Sequence, residues 1–244
     1  MPETKPYPVV YRHGPDSVNE PFVEARSSRE GVNHLSAYTI LKRDLWELFE
    51  FVEPCPANQG TFSHRSFELL LRACTEVESN FKTVLRANGH KVDSLTMRRY
   101  SDLDGPMKLS AYEVSCVGFN LPSFRPFASF ADVNPKLRSP VWYRAYNDAK
   151  HDRVNNFPSA SMENVVQALG GLYVALTAQY GFHFDVYLGL RQSTPAVQYD
   201  LFGCSRQPTW TDDERYDFDW RKLKTTPNPY KKGSSGGSVG ARSS

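Results

Sequence analysis

The sequence predicts a mainly α fold, a four-helix bundle with an inserted small α+β cap and irregular termini, and three observations lead there. Four segments place apolar residues at spacings of three and four, the mark of a helix with one buried stripe. The third and fourth are joined by a short polar break, as antiparallel neighbours in a bundle are. The second and third are separated by residues 90 to 139, whose proline content and alternating stretches belong to a different kind of structure.

Residues 1 to 33 mix prolines, charges and isolated glycines, so an irregular lead-in is expected, with Val9, Val10 and Tyr11 adding a short strand or lying against the body. From His34 the stripe Tyr38, Leu41, Leu45, Leu48, Phe49 and Val52 marks the first helix, stopped by Pro54 and Pro56. The second runs from about Ser63 to Asn88, with Phe67, Leu70, Cys74, Val77, Phe81 and Val84 on one face and Asn88-Gly89 as its stop. Glu78 interrupts that face, one turn before Lys82. The pair is either a surface i,i+4 ion pair or a carboxylate and an ammonium directed into an interhelical cleft.

In the insertion, one or two helical turns are expected near Thr96 to Leu103, a turn at Asp102-Leu103-Asp104-Gly105, and a strand or hairpin within Met107 to Phe119, where the period is two. Pro140 suits the first turn of the third helix, whose buried face is Trp142, Ala145, Tyr146 and Ala149. Each residue advances about 100° around the axis, so Arg144, Asn147 and His151 share another face. Asn155 to Ser159 break the chain, and Ser161 or Ser159 caps the fourth helix. Gly170-Gly171 inside it costs about 1 kcal/mol of helix propensity per glycine, which implies close approach by a neighbouring helix. Phe182 to Leu188 and Ala196 to Phe202 read as extended segments that cover the bundle or pair with the inserted strand. Thr211 to Glu214 read as one helical turn, and residues 221 to 244 as a flexible basic tail.

Charge and composition narrow the function. The formal net charge is +2, but the tail holds six basic residues and no acid; without them 23 basic residues face 27 acidic ones, net −4. The body is therefore no generic basic nucleic-acid binder. Cys55, Cys74, Cys116 and Cys204 form no C-x-x-C pair and read as reduced thiols, and the scattered histidines show no metal-ligand spacing, so neither metal nor cofactor is expected. No apolar run resembles a signal peptide, and Val165 to Ala178 falls short of the roughly 20 residues of a membrane span, so a cytoplasmic protein without membrane contact is expected.

Four helices with Arg144, Asn147 and His151 near the end of the third resemble the HEPN superfamily (higher eukaryote and prokaryote nucleotide-binding), whose hallmark is an arginine four to six positions before a histidine. Six residues lie between Arg144 and His151. Glu78-x-x-x-Lys82 resembles an acidic-plus-lysine motif of some HEPN groups. The resemblance covers about residues 34 to 88 and 140 to 181. It implies one HEPN-like unit over 34 to 220 and a metal-independent endoribonuclease, in a toxin or antiviral-defence role, acting as a homodimer on RNA.

In that reading His151 transfers the proton, Arg144 clamps the phosphate and Asn147 orients it, with Glu78, Lys82, Tyr146, Lys150 and Arg153 as substrate-binding or orienting residues. RNA brings its own nucleophile, the 2′-hydroxyl, so no metal is required. The alternative is a non-catalytic helical module that binds a nucleotide or a protein. His151 also has a plain structural explanation, since Lys, His and Arg complement the dipole at a helix C-terminus.

Overall fold

The computed structural model describes residues 9–12, 29–93, 95–181, 201–211 and 214. It is mainly helical with a small two-stranded antiparallel sheet. The four expected helices are α1 (Arg29–Phe49), α2 (His64–Ala87), α3 (Val141–His151) and α4 (Met162–Tyr180). The expected segments 182 to 188 and 196 to 200, the core of the acidic run and the basic tail lie outside the described residues. Among the described residues no helix is long and apolar enough to cross a membrane.

Capping chemistry fixes the helix ends. The Ser63 hydroxyl accepts from the Ser66 amide to start α2, a contact of the kind that stabilises by about 1 kcal/mol, and Gly89 at φ 81° lets the chain leave after the Asn88 cap. Pro140 precedes α3, and Ser161 rather than Ser159 caps α4 by accepting from Asn164. The first helix differs from expectation: it begins at Arg29, inside the stretch expected to be irregular, with Glu30 favourably placed in its first turn.

Helix α4 is buried on every side from Val165 through Tyr180 apart from Gln167, so the other elements surround it. Helices α1, α2 and α3 each pack on it. Its two glycines are where that packing is tightest, though a helix explains only one of them. A Cβ on Gly171 would lie 3.2 Å from the Trp142 ring of α3, whereas a Cβ on Gly170 would lie 2.6 Å from Phe124 of the insertion. The lead-in touches the same helix, with Val10 fully buried and the Tyr11 amide donating to the Ala178 carbonyl at 2.8 Å.

The insertion is fastened to this frame by Trp142, whose indole nitrogen donates to the Pro126 carbonyl at 2.9 Å while its ring meets Phe127 edge-on. The strand expected over Met107 to Phe119 is confined to β1 (Glu113–Cys116), which pairs with β2 (Phe202–Arg206). What precedes it is helical turns, Met97–Tyr100 to Leu109–Ala111, and these include the Asp102-Leu103-Asp104-Gly105 stretch. Two local effects shorten the strand. Lys108 adopts φ 48°, and the Asp104 carboxylate accepts from both the amide and the hydroxyl of Ser110 at 2.7 and 2.9 Å.

Candidate functional site

Helix α3 lies between α2 and α4 and shows three different faces. Trp142, Ala145 and Ala149 are buried, Tyr143 and Tyr146 are buried toward α2, and Arg144, Asp148, Lys150 and His151 are exposed, with Asn147 half-buried between. The exposed edge is the one on which the sequence places arginine, asparagine and histidine together.

That edge is shared but not converged. Arg144 donates through Nη1 to the Ser139 carbonyl, so its guanidinium turns toward the N-terminal end of α3, away from His151. The physical reason is local: Ser139, just before the Pro140 cap, has a carbonyl outside the helix within reach of a flexible arginine. His151 lies seven residues further, about 10 Å along the axis at 1.5 Å per residue. Neither the Asn147 nor the His151 side chain makes a hydrogen bond or ion pair among the described residues. Both side chains are thus available to a ligand.

Glu78 reaches α3, but at a residue other than Arg144, Asn147 or His151, while Lys82 lines the space between α1 and α2. Glu78 Oε1 accepts from the Tyr143 hydroxyl at 2.7 Å, and its second oxygen lies 3.7 Å from Lys82 Nζ. The pair is thus an i,i+4 ion pair whose carboxylate, but not its ammonium, also reaches across to α3. Burial and the hydrogen bond to Glu78 push the Tyr143 phenol far above its usual range, so it stays a donor. Neither residue bonds Arg144, Asn147 or His151.

Tyr146 and Lys150 form a second unit. Lys150 Nζ donates to the Tyr146 hydroxyl at 3.0 Å and lies 5.1 Å from the centre of its ring. The hydrogen bond to Tyr146 is the main reason that the ammonium is held above its ordinary pKa, and Glu78 adds to it. A cation therefore stands on the edge one residue before His151.

Arg153 belongs to a cluster that the sequence pattern does not assemble. Its guanidinium sits 4.7 Å from the Phe67 ring centre and 5.4 Å from that of Phe157, and Nη2 bonds His64 Nδ1. Arginine can only donate, so Nδ1 is the acceptor and His64 carries its proton on Nε2. Phe62 completes the group, edge-on to Phe157 at 5.6 Å. Phe62 and His64 are 89 or more positions from Arg153, and no local pattern links them; the one sequence signal is that both flank the Ser63 cap of α2.

Elsewhere, a cavity of about 330 Å³ between α1 and α2 is lined by Glu30, His34, Glu76, Ser79, Lys82 and Arg86. All four cysteines are free thiols, and among the described residues no group of three His, Cys, Asp or Glu could hold a metal ion. No family model, curated protein or solved structure matches the chain.

Proposed function

We propose that the chain is a four-helix bundle of HEPN type that cleaves RNA without a metal, through the exposed edge of α3. The observation that carries this reading is that Asn147 and His151 are unengaged on one face while Tyr143, Tyr146, Lys150 and Arg153 around them are all tied into the structure. The His151 imidazole takes the proton from a ribose 2′-hydroxyl, the 2′-oxygen attacks phosphorus to form a 2′,3′-cyclic phosphate, and the bond to the 5′-oxygen breaks as that oxygen takes a proton from water. Asn147 donates to a phosphate oxygen, and an arginine offsets the charge that develops there.

Within one chain Arg144 turns away from His151, and two copies would bring the two together. In an antiparallel pairing of two α3 helices about an axis near Asn147 and Asp148, residue numbers facing each other sum to a constant, so Arg144 of one copy stands opposite His151 of the other. The homodimer is part of this proposal.

A second reading is favoured by the Arg144 hydrogen bond to Ser139: a module that binds a nucleotide or protein at this edge without chemistry. Incubating purified protein with mixed RNA in EDTA, beside His151→Ala, separates the two. Cleavage lost in the variant supports the ribonuclease. Absent cleavage, or cleavage unchanged in the variant, rejects it, and Arg144→Ala weakening nucleotide binding would then support the module.

A further inference from the structure

We infer that Phe62, His64, Phe157 and Arg153 form a nucleobase-stacking subsite for single-stranded RNA, flanking His151. The inference rests on the reading of the α3 edge as an RNA site and names the form of substrate that it takes.

The first ground is that the exposed ring is held by rigid backbone. Phe62 is 44% exposed, yet it bridges to Ser161, and next to that bridge the Met162 amide donates to the Thr61 carbonyl and the Glu163 amide to the Gln59 carbonyl, at 2.8 and 3.0 Å. The loop before α2 is thereby fixed to the start of α4. With the Phe157 ring edge-on beneath it at an interplanar angle of 85°, Phe62 offers a fixed apolar surface to solvent.

The second ground is a cation immobilised beside that surface. Two rings and His64 hold the Arg153 guanidinium, and only one of its five N–H donors is needed for His64. A group ordered before binding loses less entropy on meeting a phosphate. The nearest carboxylate along the chain, Asp152, is occupied in accepting from the amide and side chain of Asn155. Arg153 is two residues from His151, so their Cα atoms are within about 7.6 Å.

Rings and cations together specify the ligand. A purely apolar partner would strip water from Arg153 and His64 without replacing it. An unpaired nucleotide meets both, its base stacking on the ring and its phosphate taking the guanidinium. Duplex RNA cannot, because its bases are already stacked on one another.

The test is binding of a fluorescent oligouridylate whose riboses are 2′-O-methylated, so that no nucleophile exists and binding is read apart from cleavage. Phe62→Ala, an exposed position, should weaken binding about five-fold or more, with Phe62→Tyr retaining wild-type affinity. An abasic oligomer of the same length should bind wild type and Phe62→Ala equally. Unchanged affinity in Phe62→Ala, an equal loss on the abasic oligomer, or no binding by wild type would each overturn the subsite. If natural RNA is not cleaved but the base-dependent loss is seen, the subsite stands and only the catalytic reading falls.

Discussion

Glu78 on α2 and Tyr143 on α3 are joined by a 2.7 Å hydrogen bond from phenol to carboxylate, and this contact fixes how α3 lies against its neighbour. The Glu78 side chain is only 21% exposed, and that donor and Lys82 are its partners. Tyr143→Phe keeps the ring and removes the donor. It should destabilise the fold by about 1 to 2 kcal/mol, at the lower part of the range for bonds to a charged group because Lys82 remains. Urea denaturation reads this, and Glu78→Gln, which still accepts from Tyr143, should cost less than Glu78→Ala.

Gly170 makes the next prediction. Alanine normally gains about 1 kcal/mol over glycine inside a helix. Here the added methyl would meet the Phe124 ring at 2.6 Å, so the ring must move and the insertion with it. Gly170→Ala should come out destabilised by about 1 to 3 kcal/mol. In a double-mutant cycle with Phe124→Ala the two effects should be strongly non-additive; simple addition would mean that the ring yields freely.

Acid sensitivity near neutrality is expected from His34. It is 6% exposed, its Nδ1 has no partner among the described residues, and burial lowers its pKa below 6.5 against an opposing pull from Glu30. The native state therefore keeps the ring neutral, while the unfolded chain takes up a proton as pH falls through 6.5. Stability is full above 6.5 and is lost below it, by at most about 1.4 kcal/mol per pH unit. Glu76 in the same cavity has a raised pKa through burial, and its opposite contribution enters at lower pH. Unfolding free energies of wild type and His34→Gln compared between about pH 7.5 and about pH 5.5 separate the histidine from Glu76, and the variant should show the flatter slope.

The difference between what the sequence disclosed and what it concealed follows the range of the interactions. Ser63, Asn88-Gly89, Pro140 and Ser161 act within one turn of themselves, and each marks a helix end that lies where it is expected. The start of α1 is preceded in the sequence by a similar signal, Ser27-Ser28-Arg29-Glu30, but the apolar stripe begins later and on its own places the start too late. The shortened β1 depends on Asp104 reaching Ser110 and on pairing with residues 202 to 206, which the alternation of residues 107 to 119 does not encode. At the site, the shared face of Arg144, Asn147 and His151 follows from helical geometry alone. The direction of the Arg144 side chain does not, because a carbonyl outside the helix decides it, and the pairing of Arg153 with His64 exists only in three dimensions.

The separation of Arg144 from His151 along α3 permits a test that needs no structure of a dimer. If each site draws its arginine from one copy and its histidine from the other, then Arg144→Ala and His151→Ala are each inactive alone, since every site in either homodimer lacks one group. Mixed in equal amounts and allowed to exchange, half of the dimers carry one chain of each kind. Such a dimer has one site missing both groups and one site with both intact, so the mixture should recover about a quarter of wild-type cleavage. Size-exclusion chromatography before and after mixing reports whether exchange took place. Exchange without recovered activity would place both groups within a single chain, and Arg144 would then have to leave Ser139 and swing along its own helix to act.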